Sequence, residues 1–403
     1  MTPPPQQIAP GDTAAAQAKE RARAVIESHR GGLRLLSEEI HDRPELCFEE
    51  HFAAAHVGQA LVDGGLALES GVYGLATALR ATAGSGPLSV AVCAEYDALP
   101  GVGHACGHNL IAAAAVGAGI GLAAVADEIA VTVTVLGTPA EEGGGGKVLM
   151  LERGAFAGVH AAMMVHPWHE DRLGLQCLAV DHIEVRFSGR EAHASAAPAK
   201  GVNAADAMVV AQVAIGLLRQ QLPPGHQVHG IVTKGGDAAN IIPRETLARF
   251  MVRAPTVEEL DALRPRVVRC FEAGALATGC TLQITDLSPR YSDYVADQPL
   301  LRAWRANAES VGRRYTADDR GAPPATASTD MANVSKAVPT IHPLVGLESG
   351  GAVVHEPAFA EAAVGPDAER AVLDGAVLMA WTAIDAATDP DLRAHLLEDA
   401  PLT

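Results

Sequence analysis

Ala94-Glu-Tyr-Asp-Ala-Leu-Pro-Gly-Val-Gly-His-Ala-Cys-Gly-His-Asn109 is the stretch around which the chain is organised. An apolar, β-prone run over 88–93 precedes it, and an Ala/Gly-rich, helix-like run over 110–124 follows. A strand, a tight Pro-Gly turn and a helix start read in that order. The turn then carries Glu95, Asp97, His104, Cys106 and His108 at the carboxyl end of a sheet strand, where open α/β folds place their ligands. A thiolate and an imidazole two residues apart, with carboxylates beside them, can hold a transition metal. Taken alone, the pair reads equally as a buried cysteine and a helix-start histidine.

At 403 residues the chain has room for two domains. Hydrophobic residues make up 48% and charged residues 19%, the balance of a soluble globular protein. A net charge of −18 argues against nucleic acid and against anionic membrane surfaces as partners. The six cysteines are scattered with no Cys-x-x-Cys unit, which points to a reducing compartment. Residues 1–11 have neither a basic n-region nor an apolar h-region, so no secretory signal is expected. The apolar run 110–124 falls short of the about 20 residues that span a bilayer and reads as a buried core helix. The expectation is a cytoplasmic enzyme with no nucleic-acid or membrane partner.

Residues 1–13 read as disordered, 14–36 as a helix, and 40–63 as a segment broken at Pro44 that restarts as a helix ending at Gly64-Gly65. Strands are expected over 74–80 and 88–93. The β-branched run 130–137 is the clearest buried strand, and it ends in Thr138-Pro-Ala-Glu141-Glu142 and four glycines before a helix over 147–153. A further strand over 161–165 ends at His166-Pro167. Three apolar strands thus end in metal-competent groups, and convergence at one edge of a parallel sheet is the simplest geometry. From about residue 181 the pattern becomes half-exposed alternation. Strand, helix 202–220, strand 228–233, strand 246–252, helix 257–277 and strand 281–286 give the β-α-β-β-α-β order of a ferredoxin-like sandwich. The predicted organisation is α/β. A discontinuous catalytic domain (1–180 and 288–403) with a mixed, largely parallel sheet carries an inserted ferredoxin-like α+β domain (181–287).

Adjacent carboxylates at a strand end suit a division of labour, one ligating a metal and the other taking a proton from metal-bound water. Read without context, Glu141-Glu142 is also an ordinary solvated acidic turn. A phosphate loop is discounted, because Lys147 is followed by Val148 rather than Ser or Thr and two acids precede the glycines. His166 at a strand end, His355 after Gly350-Gly351 and His193 in the inserted domain each have a plain alternative as structural or surface histidines. His104, His160, His169 and His342 read as structural or supporting.

The order of these motifs carries more than any one of them. Glu95-Tyr-Asp-Ala-Leu-Pro, His104-Ala-Cys-Gly-His-Asn, Thr138-Pro-Ala-Glu-Glu-Gly-Gly-Gly-Gly-Lys, His166-Pro, Gly189-Arg-Glu-Ala-His-Ala, Asn240-Ile-Ile-Pro, Arg253-Ala-Pro-Thr and Ser328-Thr-Asp-Met follow one another. The chain resembles the aminoacylase/carboxypeptidase-G group of metallopeptidases (peptidase family M20), most of all the amidohydrolase branch that includes aminobenzoyl-glutamate hydrolase and β-alanyl-lysine-type dipeptidases. The resemblance implies a centre of two divalent metal ions, zinc or manganese with cobalt also suitable, held by Cys106, His108, Glu142, His166 and His355 with Cys106 bridging. It implies Glu141 as general base and proton donor, Asp97 as the residue that orients a ligand, and His193 on a lid as oxyanion stabiliser, often from the partner subunit. Asn240 and Arg253 would line the substrate pocket, Arg253 matching a substrate carboxylate. Two departures stand out. Glu95 occupies a position where many members of the wider family have a metal-binding His and this branch commonly an Asp, and Asn109 stands where many relatives have Asp.

The implied activity is metal-dependent hydrolysis of the amide of a small N-acyl amino acid or dipeptide-like substrate. The competing readings are a dipeptidase or carboxypeptidase acting on peptides and a non-catalytic binding protein on the same scaffold. A homodimer through the inserted domain is expected, by an edge strand such as 182–187 or by the helix 202–220.

Overall fold

The computed structural model describes residues 14–174, 176–315 and 326–398. Residues 1–13, read above as disordered, lie outside them. The described residues form two compact units: 14–174, 294–315 and 333–398 make one, and 176–293 with 326–332 make the other. The expected insertion, 181–287, falls within the second unit, which begins at Gln176, ends at Asp293 and takes in the Ser328-Thr-Asp segment as well.

The first unit opens with α1 (Ala14–Ser28), α2 (Arg30–Asp42) and α3 (His51–Asp63). The helix expected over 14–36 is therefore two, parted at His29, which leaves helical geometry with ψ 2°. β1 (Ala67–Ser70), β2 (Leu79–Ala83) and β3 (Leu88–Ala94) follow. The strand expected over 74–80 starts only at Leu79, because Tyr73 (φ 58°) and Gly74 (φ 66°) take the left-handed conformation of a turn. Next come α4 (His108–Ala123), β4 (Val131–Gly137), α5 (Gly146–Glu152), β5 (Ala161–Met163) and β6 (His166–Trp168).

The second unit contains β7 (Gln176–Cys177), β8 (Ala179–Ser188), α6 (Ala204–Arg219), β9 (Gln227–Lys234), β10 (Glu245–Ala254), α7 (Val257–Thr278) and β11 (Thr281–Asp286). After α8 (Gln298–Ser310) the chain passes through β12 (Thr326–Ala327) and α9 (Met331–Ser335). It then runs through β13 (Thr340–Ile341), β14 (Leu344–Gly346), α10 (Pro357–Ala362), α11 (Pro366–Thr388) and α12 (Pro390–Glu398).

The main sheet of the first unit has the order β1-β2-β4-β3-β5-β13. β3 runs parallel to β4 and β5, and β5 parallel to β13, while β1, β2 and β4 are joined antiparallel. Its central strands are Val- and Ala-rich and buried on both faces, as parallel strands between helices must be. α4 lies in the core, with every residue from His108 to Leu122 buried. Its small residues set how closely it is approached: a Cβ at Gly119 would stand 2.5 Å from Val135 Cγ2 of β4, and one at Gly117 2.9 Å from Ala376 Cβ of α11. α11 is long and apolar enough to cross a membrane, but it is mostly buried inside this unit and packs along α4.

The second unit has the antiparallel order β11-β8-β10-β9, that of a ferredoxin-like sandwich. Alternation directs Ile183, Val185, Phe187, Ala248, Phe250 and Val252 into one core with α6 and α7. Asn203 caps α6 through Ala205 N (2.9 Å), and Thr256 caps α7 through Glu259 N (3.2 Å). β8 is central, so 182–187 is not the edge strand expected from its half-exposed pattern. That pattern reflects one covered sheet face, and the edges belong to β9 and β11. The fold is thus α/β with an inserted ferredoxin-like α+β unit.

Candidate metal centre

Three parallel strand ends build the site. Ala94 of β3 pairs with Gly137 of β4, and Val92 with Met163 of β5, so the residues beyond them emerge at one edge. Beyond β3, Glu95 and Asp97 are buried carboxylates. The turn then closes through the Leu99–Gly103 bridge and reaches Cys106, Gly107 and His108, the first residue of α4. Beyond β4 come Glu141 and Glu142. Beyond β5 comes His166, which opens the short strand β6 paired with β14 rather than ending a longer β5.

Donor atoms of Cys106, His108 and His166 all lie within 4.8 Å of one another, and so do those of Cys106, Glu142 and His355. The two trios share Cys106. The Cys106 thiol is 3.5 Å from His166 Nε2. His108 Nδ1 donates to Asp97 Oδ1 at 3.1 Å, and His166 Nδ1 donates to the Pro167 carbonyl at 2.7 Å. A carboxylate and a carbonyl only accept, so in each ring Nε2 is left to act as the ligand atom. Glu142 Oε1 is 3.8 Å from His108 Nε2, and Glu142 Oε2 is 3.6 Å from His355 Nε2. Among the described residues, His108 Nε2, Glu95 Oε2 and Glu142 Oε1 are buried without a hydrogen-bond partner. Converging unpartnered buried donors are what a metal position needs, and a set of one thiolate, one carboxylate and three imidazoles suits zinc, manganese or cobalt.

Electrostatics follow from burial and from Asp97. Burial opposes charge on His108, but the hydrogen bond and charge of Asp97 outweigh it and raise the imidazole well above its usual range. Burial likewise opposes charge on Asp97, and His108 more than offsets it, so this carboxylate is lowered. Burial pushes the Cys106 thiol well up and Glu142 up, and lowers His166 to about 4. Taking up a metal therefore requires proton release from Cys106 and from His108 Nε2.

The Glu-Glu-Gly-Gly-Gly-Gly-Lys run serves close packing. Gly145 is left-handed at φ 66°, and a Cβ at Gly146 would stand 1.8 Å from the Pro139 carbonyl oxygen. That tight return starts α5 and carries Lys147 inward, fully buried, to Glu95 with Nζ–Oε1 of 2.5 Å. Ala140, just before the acidic pair, is held at φ 59°, and its N–H donates to Glu50 Oε1 at 2.9 Å. Glu50 also accepts from Phe48 N and Thr77 Oγ1, each at 2.8 Å. The roles of Glu50 and Lys147 were missed by the sequence reading, because their partners are remote in the chain. His355, also left-handed at φ 73°, is tied by its N–H to the Ala105 carbonyl at 2.8 Å. It is the one exposed member of the two trios.

Glu141 stands beside the trios, buried, with a carboxylate oxygen within 4.8 Å of donor atoms of Glu95 and His108. Asn109 serves packing, donating to Ser37 Oγ and the Ala363 carbonyl, each at 2.9 Å. The remaining expected residues belong to the second unit. His193 and Asn240 are neighbours there: Ala194 N donates to the Asn240 carbonyl at 3.0 Å, and His193 bridges Ile241. His193 Nδ1 accepts from Ser195 N (3.3 Å) and Ala196 N (3.2 Å), so the neutral ring carries its proton on Nε2. Arg253 lies on β10, with Nη1 donating to Ser328 Oγ at 2.7 Å. Burial alone lowers its pKa, and among the described residues it makes no ion pair with a carboxylate.

A centre of this composition at the carboxyl edge of an α/β sheet defines a metallohydrolase class, and sequence comparison places the chain within it. Residues 91–372 match the model of peptidase family M20/M25/M40, and the chain belongs to that family. It is 39% identical to the Xaa-Arg dipeptidase of Mus musculus over 95% of this chain and 93% of the relative. It is 31% identical to a p-aminobenzoyl-glutamate hydrolase chain of Escherichia coli (strain K12) over 64% of this chain and 58% of that one. A solved Bacillus subtilis structure, described as a dinuclear metal binding peptidase of family M20, shares the fold. Its TM-score is 0.66 at 22% identity, covering 89% of this chain and 98% of that one. The protein is a metal-dependent hydrolase of amide or peptide bonds.

Proposed function

We propose that the chain is a dipeptidase that removes a basic C-terminal residue from small dipeptides, with two divalent ions at the centre. The observation that carries the reading is the pair of donor trios sharing Cys106, together with the near full-length similarity to the mouse Xaa-Arg dipeptidase. Cys106, His108 and His166 would hold one ion and Cys106, Glu142 and His355 the other, zinc or manganese with cobalt also suited. The chemistry supplied there when both are bound is activation of a water and polarisation of the scissile carbonyl. Glu141 takes the proton of the attacking water and passes it to the leaving amine nitrogen. Asp97 fixes the tautomer and direction of His108. His193 offers Nε2–H to the developing oxyanion. Asn240 and Arg253 bind substrate, and the half-buried Arg253 guanidinium, with no carboxylate partner among the described residues, is suited to a substrate carboxylate.

A homodimer through the second unit belongs to the same reading. α6 exposes Val209, Val213 and Leu217 on one face, at 57%, 58% and 70%, and the edge strand β9 exposes Ile231 and Val232. An apolar helix face and an open edge strand with exposed apolar side chains suit a two-fold partner. A cytoplasmic location is in keeping with six free thiols, and no nucleic-acid or membrane partner is proposed.

The test is turnover by metal-stripped protein reloaded with zinc, manganese or cobalt, read as free amine release. The substrates are Xaa-Arg and Xaa-Lys dipeptides, β-alanyl dipeptides, neutral dipeptides, N-acetyl amino acids and aminobenzoyl-glutamate. Metal-dependent release that is fastest with a basic C-terminal residue is expected. Faster release from N-acyl amino acids would move the assignment to that class, and silence with metal bound would favour a binding protein.

A further inference from the structure

The pair of Lys147 and Glu95 is not needed to complete either donor trio, yet it lies directly behind one of them. Both side chains are essentially inaccessible to water, at 0% and 1% exposure, and the ammonium rests on Glu95 Oε1. The other oxygen, Oε2, faces His108 Nε2 at 3.4 Å, and both of those atoms are buried without a hydrogen-bond partner among the described residues. Glu95 shares a cluster with His108 and Glu141, but it does not join the trio of Cys106, His108 and His166 within the same 4.8 Å. The carboxylate is thus beside the position that His108 addresses and turned partly away from it.

Stability is a poor reason to keep such a pair. Taking both charges out of water is costly, and apolar replacements are often neutral or better. A reason in the site is stronger. Glu95, Asp97, Glu141 and Glu142 crowd buried carboxylates around the donor trios, and Lys147 brings a buried positive charge beside them.

Resting on the two-metal reading above, we propose that Lys147 is a positioning residue that holds Glu95 off the first metal position. By binding Oε1 it keeps the carboxylate from swinging onto the ion held by Cys106, His108 and His166. A coordination position there is kept for water and substrate. Lys147→Met, which keeps length and removes charge, releases Glu95 as an extra ligand.

The experiment is metal binding by the full chain, with cobalt(II) as the probe, comparing wild type, Lys147→Met, Lys147→Arg and the Lys147→Met/Glu95→Gln double variant. Affinity is measured by chelator competition and coordination by the intensity of the visible cobalt bands. Lys147→Met is expected to bind cobalt more tightly because a carboxylate is freed to ligate, by about tenfold, the lower end of the affinity changes that outer-shell substitutions produce. Its bands should weaken as the coordination number rises, and kcat should fall. Lys147→Arg is expected to stay near wild type. The double variant, in which the residue at 95 carries no charge to offer a metal, is expected to return both affinity and spectrum toward wild type. A spectrum and affinity unchanged in Lys147→Met, or a double variant no closer to wild type than the single one, would overturn the proposal while leaving the metal reading intact. Should Lys147→Met fail to fold, the double variant decides: a cobalt spectrum unlike the wild type would overturn the proposal, and a matching one supports it. Wild-type protein that takes up no cobalt would overturn the two-metal reading and this proposal with it.

Discussion

Replacing Asp97 by asparagine tests the electrostatic logic of the site at a single atom. The carboxylate is 1% exposed and both its oxygens are engaged. Oδ1 accepts from His108 Nδ1 at 3.1 Å, and Oδ2 accepts from Glu142 N at 2.9 Å and from the Cys47 thiol at 3.6 Å. Asparagine has one acceptor where two are needed. With its oxygen toward His108, its NH2 meets the Glu142 N–H, donor against donor. Flipped, its NH2 faces His108 Nδ1, which moves the ring proton to Nε2, where it blocks metal. Either way one charge-assisted hydrogen bond is lost, worth about 1.5–3 kcal/mol. That converts to about 10- to 100-fold weaker metal binding, in the range for residues that orient metal ligands. Chelator competition with zinc measures it, and a melting curve of the metal-free protein shows that the fold persists. Asp97→Asn with wild-type zinc affinity and wild-type turnover would refute the reasoning.

Three further outcomes are expected. Gly146→Ala places a Cβ 1.8 Å from the Pro139 carbonyl oxygen, so the start of α5 must shift; lower metal affinity together with lower thermal stability is the expected result, and a variant unchanged in both would contradict it. His342 is buried against His166, with Glu95 and Lys147 nearby, and burial lowers it to about 3. The unfolded chain therefore takes up a proton near pH 6.5 that the folded one refuses, and stability falls as pH drops from there toward 3, at up to about 1.4 kcal/mol per pH unit. Denaturant melts of metal-free His342→Phe should lose less stability between pH 6.5 and 4 than wild type. Val213→Asp on the exposed face of α6 should yield a monomer in sedimentation with the fold kept; an unchanged dimer would place the interface elsewhere.

Much of this was legible because the relevant signals are local. A β-branched strand followed by an acidic pair, and a Cys-x-His turn opening an Ala/Gly helix, each place metal-competent groups at a strand end, and parallel pairing brings the ends together. The second unit was legible from alternation and helix spacing, and the strand Thr281–Asp286 falls where the sequence places it. What sequence hid depends on contacts across long separations. Glu50 supports Ala140 from 90 residues away, and Lys147 meets Glu95 across 52. The four glycines hinted at close approach but not at what approached, which is the Pro139 carbonyl and the Phe48 ring. The strand 182–187 was misplaced to an edge because half-exposure marks a one-faced sheet as readily as an outer strand.

Glu141→Gln, measured at once for metal content and for turnover of an Xaa-Arg dipeptide, tests the central claim most directly. The substitution keeps shape and removes the proton acceptor without touching either donor trio. Two bound ions per chain with turnover lowered by at least about 100-fold is the predicted result. Two bound ions with turnover intact would contradict it.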